Sequence, residues 1–345
     1  MSLGVVLETA RRAQGLTQEQ MAARVGITQA SWSRYEKDMR EPDDETLDRI
    51  SAVLNLTPEF LRQAGKIRGA LAVDAHMRRR KTAKPSDWRR LEARLNLYRL
   101  HARRVFDEIA IHAEQRIPSF DPFEIDPATA ARIVRMQWRM PIGPVRNLIQ
   151  WVEAAGCLVI KEDFASTGVD GLSQWIDECP VAMVNISAPT DRMRLTLAHE
   201  LGHLCLHTYD VTETVEQDAN AFGAEFLMPI EAIRPQLRNL NLGKLLDLKR
   251  QWGVSMQALI EHAYNNKLLT ADKRTNFYKA LSARGWRARE PGSDDLPPES
   301  PTLPESIGAT LSRRGLSRDE VAQVVGLRTP ATHAFLPAAT HLRAL

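Results

Sequence analysis

The chain has 345 residues, of which 43% are hydrophobic and 26% charged, with a formal net charge of +3. That length accommodates about two or three domains, and the ordinary apolar fraction excludes a chain that is disordered throughout. No apolar run is long enough for a signal peptide or a membrane span, so the expected location is the cytoplasm, with no membrane partner. Cys157, Cys179 and Cys205 form no paired CxxC spacing and are expected as reduced, mostly buried thiols.

Residues 3–63 read as short helices separated by turns. The first covers about Leu3 to Gln14 and stops at Gly15; Thr17 then caps a second helix that Gly26 ends. A third, about Gln29 to Lys37, completes two helices joined by a tight turn, with Met21, Ala22, Val25, Ile27, Trp32 and Tyr35 supplying the packed faces. Through Leu16–Glu36, Arg40-Glu-Pro and Leu54–Leu61 the segment resembles the Xre or lambda-repressor type of helix-turn-helix. The resemblance implies a double-stranded DNA operator as partner, with Gln18 where the family caps a helix onto phosphate and Gln29, Ala30 and Arg34 at base-facing positions. Thr28 and Ser33 join them as DNA-binding candidates. Gln pairs bidentately with adenine and Arg with guanine, while Ala touches a thymine methyl.

Between Lys66 and Arg116 there are fourteen Lys or Arg against six Asp or Glu, densest at Arg78, Arg79, Arg80, Lys81 and Lys84. This reads first as the solvated face of a helical linker and second as a contact to backbone phosphate. Leu91, Leu95, Tyr98 and Val105 mark one or two amphipathic helices, with Pro85-Ser86-Asp87 at an opening. Three prolines between 117 and 128 mark a domain boundary.

Beyond it, Cys157–Ile160 and Val181–Asn185 are candidate strands, set between helical stretches at about 141–155 and 190–208. Residues 214–227, 241–265 and 270–284 are predicted helical as well. Within the 190–208 helix stands His199-Glu200-Leu201-Gly202-His203. Side chains at i and i+4 share a helix face, so His199 and His203 can offer two imidazoles to one Zn²⁺, with Glu200 placed as general base. A third ligand is needed. In Glu216–Pro229 the buried stripe is Ala219, Phe222 and Phe226; Glu216 lies three residues before Ala219 and points inward, where a metal would relieve its charge. Asp218 and Glu225 fall off that stripe. His207 is a rival ligand, but eight residues along a straight helix turn it about 80° from His199, which suits a core or outer position better.

The segments Leu195–His207 and Glu216–Pro229 resemble the ImmA/IrrE-type metallopeptidase family, and the likeness extends over about 120–290, through Trp252–Ile260 and Arg284-Gly-Trp-Arg-Ala-Arg-Glu-Pro291. It implies His199, His203 and Glu216 as zinc ligands, Glu200 as base, and cleavage of a repressor-type protein. The candidate strand Val181–Asn185 is where a substrate is expected to pair as an added strand. Gly223 stands where the family usually has Ala, which bears on helix rigidity.

The expected fold class is α+β and mostly helical: an all-α helix-turn-helix domain (3–63), a basic helical linker (64–118), then a zincin-like domain (119–289) with a small sheet and the HExxH helix. A flexible Pro-rich linker (290–304) and a helical element (305–345) follow. That element repeats the first: Gly315–Leu327 follows Gly15–Ile27 position by position, then meets Pro330 and Pro337 where a reading helix would run. It is expected as a helical remnant or interaction element, with a working DNA reader as the lesser alternative, and removal of 290–345 is expected to leave both domains folded. The expected function is a DNA-binding regulator with a zinc endopeptidase domain. The alternative is a non-proteolytic transcription factor sensing a metabolite or stress signal; a homodimer is one expected arrangement.

Overall fold

A computed structural model describes residues 2–64, 84–109, 113–166, 168–176, 179–207, 213–331 and 333–336. The basic cluster Arg78–Lys81 and Pro337 lie outside them.

The chain begins with five helices, α1 (Leu3–Ala13), α2 (Gln18–Val25), α3 (Gln29–Glu36), α4 (Asp44–Leu54) and α5 (Pro58–Ala64). Local chemistry sets their ends. Thr17 and Gln20 form a reciprocal capping box at α2, Gly26 closes it in the left-handed region at φ 74°, and the Thr28 side chain caps α3. Met21, Ala22, Val25, Trp32 and Tyr35 are buried against Val6, Leu7 and Ile50. Under them lies Glu36, 7% exposed, whose carboxylate accepts from Arg11 (2.6 and 3.1 Å), Trp32 Nε1 (2.7 Å) and Gln18 Nε2 (2.6 Å). Such a buried carboxylate is tolerable because each oxygen is paired.

Helix α6 (Pro85–Glu108) opens at the expected proline. It is no linker. Leu91, Leu95, Leu100 and Val105 are buried in the same apolar cluster as α1. Its cations serve backbone carbonyls: Arg90 donates to Phe164 (2.6 Å), Arg94 to Ala13 (3.2 Å) and Asp163 (3.1 Å), and Arg104 to Val324 (3.2 Å). These three arginines therefore lie at an internal junction and depart from the solvated and phosphate-contact readings, whereas Lys84 and Arg89 are exposed.

There follow α7 (Pro127–Gln137), α8 (Leu148–Ala154), β1 (Leu158–Glu162), β2 (Gly171–Ile176), β3 (Cys179–Asn185), α9 (Thr190–Leu206) and α10 (Val215–Leu227). A short turn, α11 (Ile230–Ile233), leads to α12 (Leu242–Trp252), α13 (Met256–Asn265) and α14 (Ala271–Ala283). The sheet order is β1-β3-β2, with β1 parallel to β3 (Leu158 opposite Val181) and β2 antiparallel to it (Leu172 opposite Met183). Because β3 is central, both its edges are already hydrogen-bonded, so Val181–Asn185 cannot take an added strand; only β1 and β2 have outer edges. Side chains alternate between two cores. Val159, Ala182 and Val184 pack with α9 and α10, whereas Leu158, Ile160, Val181 and Met183 pack with α6 and the N-terminal helices.

Residues 290–302 are held in place and are not a flexible linker. The Glu290 carboxylate meets Lys249 Nζ at 2.9 Å, beside Asp191 at 2.5 Å, all three side chains being buried. Glu299 pairs with buried Arg194 and accepts from Ile149 N at 3.0 Å, while Glu153 accepts from Thr302 N and Leu303 N. Two of the acidic residues that suggested a solvated linker, Glu290 and Glu299, are the partners of buried cations, whereas Asp294 and Asp295 make exposed pairs with Arg289 and Arg250.

The strap delivers α15 (Leu303–Arg313) and α16 (Arg318–Val325), which repeat α1 and α2 down to a Ser317–Glu320 capping box and a left-handed Gly326. No third helix follows among the described residues. Instead Leu327 forms an antiparallel bridge with Leu56, Thr57 N donates to Gly326 O (2.9 Å), and Thr329 N and Oγ1 donate to Asn55 Oδ1 (3.0 and 2.8 Å). Removal of 290–345 would therefore take contacts away from both domains, which the expectation of an unattached tail did not foresee. Among the described residues no helix is long and apolar enough to cross a membrane.

Candidate metal centre and reading helix

The centre is built where α10 crosses α9. A Cβ on Gly202 would come within 3.1 Å of Phe222 Cβ, and one on Gly223 within 2.9 Å of His199 N. Two glycines thus let the helix backbones nearly touch. Gly223 concerns close approach at His199 more than helix rigidity, which revises the sequence reading. The crossing points Glu216, at the start of α10, toward the histidine face of α9.

The donor atoms of His199, His203 and Glu216 all lie within 4.8 Å of one another. His199 Nε2 and His203 Nε2 are 3.0 Å apart, and each is 3.6 Å from a different Glu216 oxygen. Ligands about 2.0–2.1 Å from a tetrahedral zinc stand roughly 3.3 Å apart, so the spacing and the donor types fit one such ion. Glu216 is less enclosed than the stripe argument implied: its side chain is 40% exposed, on the side open to the cleft.

Outer groups orient the imidazoles. His199 Nδ1 lies 3.0 Å from Asn220 Oδ1, and His203 Nδ1 lies 3.1 Å from His207 Nδ1. Fully buried His207 stands behind His203, 3.9 Å from Asp218, and outside the donor cluster. Glu225, off the stripe as expected, is nonetheless buried, receiving Arg132 at 3.1 Å and Ile230 N at 3.3 Å. Burial alone would lower the His199 pKa, but the Glu216 hydrogen bond and the charges of Glu200 and Glu216 outweigh it and hold the pKa above its ordinary value. The site favours positive charge.

Glu200 is held by β2, the strand that sequence reasoning missed. Ser173 Oγ donates to Glu200 Oε2 at 2.7 Å and reaches Glu200 O at 3.1 Å. Gly171 permits that approach, since a Cβ there would lie 3.1 Å from the Glu200 side chain. Donors and base line a cavity of 720 Å³ whose walls come from α6 (Trp88), β2, α9, α10, α13 and residues 287–293. Cys157 and Cys205 are buried thiols; burial drives the Cys205 pKa up, leaving it inert.

On α3, Thr28, Gln29, Ala30 and Arg34 are exposed and Ser33 is half-buried. The Thr28 oxygen also accepts from Ser31 N as the helix cap. Gln29 Nε2 donates to Gln18 Oε1 at 2.8 Å, and Gln18 in turn to Glu36, so a relay from the buried carboxylate fixes both glutamines. Glu36 and Arg11 carried no sequence signal, because their pairing spans separate helices.

Residues 7–61 match the helix-turn-helix family model, and residues 152–264 match the model of the IrrE N-terminal-like domain. In Bacillus subtilis (strain 168), the HTH-type transcriptional regulator ImmR is 39% identical over 61 residues, which cover 18% of this chain and 48% of that protein. The uncharacterized HTH-type regulator YqaE of the same organism is 40% identical over 55 residues, covering 16% and 47%. The matched part thus spans about half the length of these relatives. Residues 7–61 are a helix-turn-helix domain of the Xre type, residues 152–264 are an IrrE N-terminal-like domain, and the chain joins the two.

Proposed function

We propose that the chain is a DNA-binding transcription regulator whose IrrE-like domain is a zinc-dependent endopeptidase acting on a regulatory protein such as a repressor. The observation that carries this reading is the gathering of His199, His203 and Glu216 beside Glu200 in one open cavity. A zinc ion held by those three residues would polarise a peptide carbonyl and acidify a water. Glu200 accepts the proton of the attacking water and returns it to the leaving amine. Ser173 fixes the carboxylate through its 2.7 Å hydrogen bond, and Asn220 and His207 fix the two imidazoles. The outer edge of β2, whose residues 171–173 line the cavity, is the strand available to an extended peptide. Gln29, Ala30 and Arg34, with Gln18, Thr28 and Ser33 beside them, would meet the operator, as the matched regulator names support.

Two substitutions separate the roles. Glu200→Gln should keep stoichiometric zinc and abolish cleavage of a repressor, read by mass spectrometry, whereas Glu216→Gln should lose zinc at equal folding. Stoichiometric, tightly held zinc in Glu216→Gln would reassign the third ligand. One observation favours the non-proteolytic sensor: α6 lends Trp88 to the cavity while packing on α1, so an occupant can bias the reader without being cut. Intact regulation in cells carrying Glu200→Gln would select that reading.

A further inference from the structure

Arg287, Ala288 and Glu290 line the same cavity as the metal donors, and they belong to the segment Arg284–Pro291. Nearly every charged side chain of this segment is committed. The Glu290 carboxylate takes Lys249 Nζ (2.9 Å) and the N–H groups of Met256 (2.6 Å) and Gln257 (3.0 Å), which nails the segment to the start of α13. Arg289 pairs with Asp294 at 2.5 Å, and Arg284 donates to Ala280 O at 3.1 Å.

Arg287 differs. Its carbonyl accepts from Gln257 Nε2 at 3.2 Å, so its backbone is fixed, and its guanidinium lies over the Tyr278 ring, 4.5 Å from the centroid. Tyr278 is itself anchored, its hydroxyl donating to Glu261 at 2.5 Å. The negative charge of Glu261 is taken by Arg274 at 2.9 Å, and that of Asp170 by the other arginine lining the cavity, Arg192, also at 2.9 Å. Among the described residues, Arg287 forms no ion pair. A zinc ion would be balanced by Glu200 and Glu216, which leaves Arg287 as the uncompensated cation of the cavity wall. A guanidinium parked on an aromatic face loses little freedom when it takes a carboxylate, and its flat fork matches one bidentately.

We infer that Arg287 is a specificity determinant that binds the side-chain carboxylate of an Asp or Glu in a peptide lying across the metal centre. This rests on the peptidase reading and names its substrate class: an acidic peptide segment.

The test uses the zinc-loaded full chain and fluorogenic peptide mixtures in which each position is fixed in turn as Glu, Gln or Lys. One position should favour Glu over Gln on the order of tenfold in kcat/KM. Arg287→Gln should level that preference, and Arg287→Glu should turn it toward Lys, with zinc content unchanged in both. A flat profile for the unsubstituted chain, or a Glu preference that survives Arg287→Gln, overturns the inference. If the unsubstituted chain cuts no peptide while holding zinc, the peptidase reading fails, and the subsite is decided by fluorescence anisotropy of the Glu and Lys peptides on the same protein. Tighter binding of Glu peptides that Arg287→Gln abolishes upholds it; equal binding, or none, overturns it.

Discussion

Gly223→Ala sets two effects of similar size against each other at the metal helix. In a helix interior, Ala is favoured over Gly by about 0.8–1 kcal/mol. Here the added methyl would sit 2.9 Å from His199 N and 3.1 Å from the Ala198 carbonyl carbon, both backbone atoms that cannot swing aside. Forcing a methyl into packed surroundings costs about 1–3 kcal/mol, so the net change should be a loss of roughly 0–2 kcal/mol. The strain enters at the residue that supplies one donor, and Asn220 on the same helix steadies that imidazole at 3.0 Å. Zinc should therefore bind more weakly, by roughly the tenfold seen when groups behind metal ligands are disturbed. Urea unfolding of the metal-free variant gives the first quantity, and competition with a chromophoric chelator the second. A variant that gains the whole helix-propensity term and keeps its zinc affinity would show that α10 slides freely over α9.

Lys249→Met would leave Asp191 and Glu290 buried with no cation, at a cost of about 3–5 kcal/mol in urea unfolding; a loss below about 1 kcal/mol would mean that water replaces the ammonium. Deleting residues 303–345 uncovers at least Leu56 and Phe60, each contributing about 1.5–3 kcal/mol when buried, so amide exchange in α4 and α5 should accelerate sharply; unchanged protection would make the tail dispensable. His101, fully buried and donating to Val325 O, has its pKa lowered by burial from 6.5 to about 4. The unfolded chain binds that proton first, so stability is full above about pH 6.5 and falls by about 3 kcal/mol as pH drops toward 4. A Tm profile from pH 7 to 4 that is the same for His101→Gln as for the unsubstituted chain would refute that link. His262, also at about 4, adds a loss of the same sign.

What the sequence disclosed were features whose cause is local. Thr17, Gly26, Ser317 and Gly326 announce helix ends because a cap needs only its own next three residues. His199 and His203 announce a donor pair because one helix turn sets their spacing. β2 was silent because its inward positions are shaped by a neighbour: Gly171 and Ser173 are small so that α9 can pass with Glu200, and that erases the apolar alternation of a strand. The strap 290–302 was misread for a related reason. Its Glu290 and Glu299 meet Lys249 and Arg194, distant in sequence, and composition cannot distinguish a carboxylate facing water from one facing a buried cation.

The C-terminal copy of the first two helices is incomplete in a way that explains where it sits. In the first copy, Gly26 turns the chain into α3, whose Trp32 and Tyr35 close the core over Met21 and Ala22. In the second copy, Thr329 and Pro330 stand where that helix would begin, and among the described residues Val321, Ala322 and Val325 meet no third helix of their own. They are buried against α5 and α6 instead, with Phe60 so close over Gly326 that a Cβ there would overlap its ring. The reader thus supplies the missing face of its own remnant, and the strap that carries the remnant also lines the cavity at Glu290 and Ser293. That strap is pinned between the cavity and the remnant, at Glu299 by Arg194 and at Thr302 by Glu153, so the remnant's seat on α4 and α5 is set by the strap's own anchors.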